Sequence, residues 1–377
     1  MRSFRLGILL AALIFLAVFC FQPPCRADSA VSYQLLDRLE GSTYYRLNVA
    51  VSQSLYDYYA GKTHRLSSYM DYDKLVTPYA LKPIADCLRE IYADDEDFAN
   101  GALTIVHQIP YEVTGPVKYP VETIVANKGD CDLFSAVAAS ILKGGGIDVV
   151  LLYYEEEAHM NIGVSLSQPP QNARTRAYYV TYSSVRYYIA ECTGEDWQNG
   201  WRVGECPEEL RDATPKVVPL EDFEQEAFGQ VSASYKTLMA ATLSLAASPM
   251  FLIEKGTVTL SGQLSAAQAD ATITFYVSVN NSPWKVMGTA STDSAGRFTY
   301  YWDTDVSGIC NVRASWSGNE NYAGADSSVL TVTVLSLLFV ILIAAVGVLA
   351  IVGLATFIMS KRAPQGVAEP QPPDVSY

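Results

Sequence analysis

The chain has 377 residues, 50% of them apolar, and its 26 Lys and Arg against 40 Asp and Glu leave a formal net charge of −14. That length holds two or three domains with packed cores. The acidic balance and the lack of any long basic run exclude nucleic acid as the main partner, because phosphate binding requires clustered Lys and Arg.

The first element in chain order is an address. Arg2 and Arg5 precede an apolar run from Leu6 to Phe21, followed by Pro23, Pro24 and the stretch CRADSA. A charged start, a short apolar segment and a small residue such as Ala27 predict a secretory signal peptide over 1–27. The alternative is an uncleaved anchor, but the run is shorter than the roughly 20 residues a bilayer needs. Export places the chain beyond it where disulfides form. Beyond the signal stand Cys87, Cys131, Cys192, Cys206 and Cys310. An odd number leaves at least one thiol free or paired with another chain.

From Val31 to about Asn100 the pattern reads as mainly helical. Leu81, Ile84, Leu88 and Ile91 recur at helical intervals in TPYALKPIADCLREIYADD, and Cys87 falls on that apolar face as a structural thiol. The texture changes between 100 and 210. CDLFSAVAASILKGGG predicts a helix with a stripe of Leu133, Phe134, Val137, Ala138, Ile141 and Leu142, ended by Gly144 to Gly146. A buried strand IDVVLLYY comes next, then an alternating strand HMNIGVSL, then two Tyr-rich strands near 177–182 and 186–192. One helix succeeded by several strands predicts an α+β domain, its helix packed on an antiparallel sheet.

Residues 211–247 read as a mixed helical connector. From 248 to 334, short alternating segments such as ATITFYVSV and SSVLTVTV are separated by turn sequences such as NNSP and DSAG. That rhythm predicts an all-β sandwich of immunoglobulin type with one cysteine, Cys310, and so without an inter-sheet bridge. Asn280 opens an N-N-S sequon. The run from Leu335 to Met359 carries no charge and is followed by Lys361 and Arg362, which predicts a single transmembrane helix over 335–359 with its basic flank inside. The Pro-rich remainder, 360–377, reads as a disordered cytoplasmic tail.

Three histidines, His64, His107 and His159, are available to activate a thiol. A thiolate is the reactive form of cysteine and needs a nearby proton acceptor. Cys131 is placed at the start of a helix, where the dipole favours the anion. His159 opens the alternating strand beyond that helix and is the best-placed base. Glu191, near the end of YYIAEC, is the candidate to fix the imidazole. Spacing alone leaves disulfide or core roles open for Cys131 and a surface role open for His159. Asp132 reads as a first-turn acid that favours the helix.

The words IPY, YPVETIVANKGDCD, GIDVVLLYYEEEAHMNIGV, YYIAECT and WRVGECPEEL, taken together in this order, resemble the transglutaminase-like superfamily. They are similar above all to its exported, membrane-associated prokaryotic members, archaeal ones especially. The resemblance covers about residues 75–210. It implies a papain-like fold over 28–210, a helix presenting Cys131 as nucleophile, His159 as general base and acid, and Glu191 as the orienting carboxylate. Many members carry Asp at the third position, where this chain has Glu191. His107 and Gln108 stand where relatives carry a Gln before IPY, which makes them weak oxyanion candidates beside the backbone N–H of Cys131.

Cys192 and Cys206 flank EDWQNGW, and a hairpin-like loop there predicts a disulfide between them that leaves Cys131 free. The resulting expectation is a cell-surface, membrane-anchored thiol enzyme. It cleaves or transfers amide bonds of a protein or peptide substrate, a cell-envelope protein among the options, without metal or cofactor. The sandwich reads as a spacer from the membrane. The alternative is an inactive binding or adhesion protein on the same fold.

Overall fold

The structure, a computed structural model, describes residues 29–38, 41–194 and 196–361, with 358–361 described by backbone alone. The signal-peptide segment and the tail beyond 361 lie outside the described residues. Two strands open the described chain, β1 (Ser29–Leu36) and β2 (Tyr44–Val51). Four helices succeed them: α1 (Gln53–Ala60), α2 (Lys82–Ile91), α3 (Asp95–Val106) and α4 (Pro120–Ala126), with a tight helical turn at Tyr69–Leu75. Then come α5 (Cys131–Gly144), β3 (Val149–Tyr154), β4 (His159–Val164), β5 (Tyr179–Tyr182), β6 (Val185–Ala190), β7 (Lys216–Pro219) and β8 (Ser232–Ser234).

Strands β3 to β7 form one antiparallel sheet in the order β5-β6-β4-β3-β7. Alternation assigns its two faces. Val149, Leu151, Met160, Ile162, Val164 and Ala190 join the large core with α2 to α5, whereas Val150, Leu152, Tyr154, Tyr187 and Ile189 pack with Cys206 and Leu210 on the other side. Helix α5 is buried along nearly its whole length, from Leu133 to Leu142.

Two expectations differ from what is found. The segment 29–51 is an antiparallel hairpin, not helix, because Tyr33 and Leu35 on β1 and Leu47, Val49 and Val51 on β2 bury alternate positions. The stretch 211–247 carries no helix of four residues or more. Its β7 completes the sheet beside β3, and β8 adds to β2.

The remaining strands are β9 (Ala246–Ser248), β10 (Phe251–Ile253), β11 (Thr257–Gln263), β12 (Thr272–Val279), β13 (Lys285–Ser291), β14 (Arg297–Asp303), β15 (Gly308–Trp316), β16 (Ala325–Asp326) and β17 (Leu330–Leu335). They build two sheets, β10-β17-β15-β12-β13 with β16 beside β15, and β14-β11-β9. Val258, Leu260 and Trp302 from one sheet share a core with Phe275, Val312 and Val332 from the other. This sandwich is docked on the first domain: Arg313 donates to Asp57 at 2.8 Å, and Ser54 donates to Asp326 through both its N–H (2.9 Å) and its hydroxyl (2.5 Å).

Last comes α6 (Leu337–Lys361), of which residues 337–357 are long and apolar enough to cross a membrane, with mean hydropathy 3.2 and no part buried.

Candidate active site

Cys131 is the first residue of α5, and Asp130 is the N-cap residue. The Asp130 side chain does not cap the helix. Its Oδ2 accepts instead from the Thr114 backbone N–H at 2.9 Å, so the chain leading into the helix is tied to the loop after α3. Glu112 N–H donates to the Gly129 carbonyl at 2.7 Å and Gly129 N–H to the Pro110 carbonyl at 3.2 Å. A Cβ at Gly129 would stand 3.0 Å from Phe134 and 3.2 Å from Leu133, so glycine is what lets this loop close against the helix. Leu133 N–H donates to Asp132 Oδ1 and Phe134 N–H to the Asp130 carbonyl, each at 2.9 Å, and the positive end of the helix dipole lies behind Cys131.

A cleft here has a volume of about 300 Å³, and its walls are Cys131, His159, Asp130, Asp132, Tyr72 and Tyr153, with Tyr111, Val113, Ala158 and Met160. His159 is the first residue of β4, at the rim of the sheet where α5 also begins. The register pairs Ile162 with Ala190. Continued toward the rim, it sets Asn161 opposite Glu191 and His159 opposite Thr193. His159 Nε2 donates to Glu191 Oε2 at 2.9 Å. Nδ1 is the ring nitrogen left for the thiol.

Glu191 is fully buried, an unfavourable place for a charge unless donors surround it. They do. Asn161 Nδ2 donates to Oε2 at 3.2 Å, and Thr193 donates to Oε1 through its N–H at 2.8 Å and its hydroxyl at 2.6 Å. Burial pushes the Glu191 pKa up, but the hydrogen bonds and charge of His159 and the Thr193 donors outweigh it, so the carboxyl titrates below its ordinary value. For His159, burial opposes the cation. Hydrogen bonds with Cys131 and Glu191 and the charges of both overcome it and lift the pKa to about 10. Geometry and electrostatics thus favour a protonated imidazole between Cys131 and a buried carboxylate.

The two oxyanion candidates sit elsewhere. Gln108 Nε2 donates to the carbonyls of Gln34 (2.9 Å) and Thr104 (2.8 Å), while its Oε1 accepts from Gln34 N–H at 2.8 Å. It ties β1 to α3 and does not line the cleft. His107 lies behind Glu191 and donates from Nε2 to its backbone carbonyl at 3.0 Å. Burial holds the His107 pKa below the ordinary value. A Cβ on Gly200 would come within 2.4 Å of its Nδ1, so the ring is confined from both sides. His107 supports the strand end that carries Glu191. The third histidine, His64, pairs with Glu122 at 2.7 Å, away from the cleft.

The Cys192–Cys206 disulfide is not formed; both are free, buried thiols. Cys192 belongs to the core on the helix side of the sheet and Cys206 to the small core on the opposite side, so the sheet separates them. Burial pushes the Cys87 thiol up to about 12 and Cys206 to about 11, and Cys192 far above the ordinary value. Asp132 also departs from expectation. It lines the cleft, and burial, then a hydrogen bond and repulsion from Asp130, raise it to about 7, so it is not a simple charged first-turn acid.

Asn161, Thr193 and Tyr72 escaped sequence reasoning. The first two had a signal: Asn161 stands two residues after His159, on the same strand face, and Thr193 two after Glu191, the spacing of a local side-chain turn. Tyr72 had none, since it arrives from a distant segment. Among the described residues, no group of three His, Cys, Asp or Glu side chains is placed to hold a metal ion.

No family model and no curated protein matches the chain. Among solved structures it is similar to the CARDB domain of the PF1109 protein from Pyrococcus furiosus, solved in complex with di-metal ions (16% identity, TM-score 0.18, 26% of this chain and 93% of that one). It is also similar to BslA, a bacterial hydrophobin (13% identity, TM-score 0.18, 26% of this chain and 98% of that one).

Proposed function

We propose that the protein is a membrane-anchored thiol enzyme that acts on amide bonds of a protein or peptide, with Cys131 as nucleophile, His159 as acid and base and Glu191 as the orienting carboxylate. The observation that carries this reading is the 2.9 Å hydrogen bond from His159 Nε2 to the buried Glu191, on a ring that lines one cleft with Cys131. A helix bearing the nucleophile and neighbouring antiparallel strands bearing base and acid agree with a papain-like, transglutaminase-like domain, and the second domain agrees with an immunoglobulin-like sandwich. Lys361 and Arg362 after the apolar helix favour a cytoplasmic C-terminus and an exterior cleft.

In this mechanism the Cys131 sulfur attacks the carbonyl carbon of the substrate, and the oxygen gains negative charge that the Cys131 backbone N–H, at the positive end of α5, would stabilise. The His159 imidazolium gives its proton to the departing amine, the C–N bond breaks and a thioester remains. Water, deprotonated by His159, then attacks the thioester and releases the acid and the thiolate. An amine in the place of water gives transfer. Hydrolysis is favoured because the cleft is open at Tyr111 and Val113, which are 50% and 78% exposed. Aminolysis requires that water be held out.

The test is alkylation of the full-length protein in detergent by iodoacetamide, with peptide mass spectrometry at Cys131 as the readout. Rapid labelling near neutral pH, lost in Cys131→Ser and slowed on the order of a hundredfold or more in His159→Ala, supports the reading. Slow labelling that ignores His159 refutes it and leaves the binding or adhesion role.

A further inference from the structure

We infer that Asp130 and Asp132 share one proton across the mouth of the cleft, and that this proton keeps the Cys131 thiolate reactive. The two aspartates are positioning residues, and their role rests on the proposed active site.

The starting point is an oxygen without a partner. Asp130 is 8% exposed and its Oδ2 is satisfied by Thr114 N–H, but its Oδ1 is buried with no hydrogen bond. A buried carboxylate oxygen is rarely left so, because it has lost its water and gained nothing. The group placed to supply a donor is the Asp132 carboxyl, one residue beyond Cys131 and part of the same cleft wall as Asp130. Asp132 Oδ1 accepts from Leu133 N–H at 2.9 Å, and the Tyr72 hydroxyl donates to the same carboxyl. Both of these donors are directed at Asp132. One proton on Asp132, given to Asp130 Oδ1, completes the set. Two ionised carboxylates would leave Oδ1 unpaired and the like charges opposed.

The surroundings do not neutralise a second charge. From β4 the pair faces His159, whose proton is already committed between Cys131 and Glu191. From β3 it faces Tyr153, from the 69–75 turn Tyr72, and from the loop after α3 Tyr111. Lys128, on the approach to α5, is engaged by Glu112 at 2.6 Å. Burial and Asp130 set the Asp132 pKa at about 7, so the shared proton leaves within the neutral range. Its loss adds a negative charge beside the thiolate and opposes the further negative charge of the oxyanion.

The experiment tracks two signals in the full-length protein in detergent. The first is the alkylation rate of Cys131 by iodoacetamide from about pH 5 to about pH 9. The wild type is expected to show a downward step centred near pH 7, of on the order of threefold to tenfold, well before His159 loses its proton. Asp132→Asn keeps a neutral donor for Asp130 and is expected to abolish the step. The second is carboxyl NMR of isotope-labelled aspartate in the wild type, with the Asp132 resonance assigned by its loss in D132N. It is expected to titrate near pH 7. A step that persists unchanged in D132N, or an Asp132 resonance that titrates in the ordinary carboxylate range, overturns the proposal. The NMR signal does not depend on nucleophilicity, so slow alkylation with an Asp132 titration near 7 would sink the active-site reading and keep the shared proton.

Discussion

The rear and the mouth of the cleft each hold a carboxyl group, and they resolve the same electrostatic problem in opposite ways. Glu191 at the rear is entirely buried yet stays charged; Asp132 at the mouth is less buried yet holds its proton near neutral pH. The difference is in the neighbours. Glu191 receives hydrogen bonds from His159, Asn161 and twice from Thr193, and its nearest charge is a cation. Asp132 receives Leu133 N–H and Tyr72, and faces another carboxylate. Donor number and the sign of the adjacent charge, more than depth, decide the ionisation state here.

Removing the rear charge is the most severe way to break this contrast. Glu191→Gln keeps the volume but replaces the anion, and is expected to lower kcat/KM or the Cys131 alkylation rate by on the order of a hundredfold to ten-thousandfold. The alkaline limit should fall with it. In the wild type the His159 value of about 10 lies above the ordinary 6.5, so the stabilisation of the charged imidazole is complete below about 6.5 and is lost as pH rises through about 10. Activity against pH in the two proteins reads this directly. Asn161→Ala weakens the same side by one donor. It is expected to reduce the rate about tenfold and stability by about 1–3 kcal/mol, measured by denaturant unfolding.

The mouth gives a smaller and opposite effect. Because the folded Asp132 value of about 7 exceeds the ordinary 3.8, the folded chain keeps a proton that the unfolded chain releases. Stability therefore falls as pH rises from about 4 to about 7 and levels off above that. Asp132→Asn removes this slope, and the gain over wild type should appear above neutral pH and vanish near pH 4 in matched denaturation curves. The smallest expected effect is that of Cys206→Ser on Cys131 labelling, because the sheet separates the two thiols. Unchanged labelling checks it.

Local sequence carried the helix of Cys131, the strand of His159 and the acid after YYIA, because each is written in a contiguous periodicity. The hairpin at 29–51 was not legible in the same way. Its tyrosines fit a helix face or a strand equally, and its partner β8 lies almost two hundred residues away. Cys192 and Cys206 misled for a related reason. Sequence distance measured the loop between them, but alternation put a sheet there as well. The Asp130–Asp132 relation was hidden because it needs Thr114 and Tyr72, contributed by segments that only the tertiary fold brings together.

The last strand of the sandwich, β17, ends at Leu335, and the apolar helix begins at Leu337. Glu254 N–H holds the Leu335 carbonyl at 2.9 Å, so the strand remains fastened up to the turn. With Arg313 and Asp326 clasping the first domain, the described chain has little slack between cleft and anchor. With α6 in a bilayer and Cys131 acting as proposed, its reach becomes a shell of nearly constant height, swept sideways by diffusion in the membrane plane. Encounter is then governed by where a substrate stands above that plane, and its concentration in bulk solution matters less.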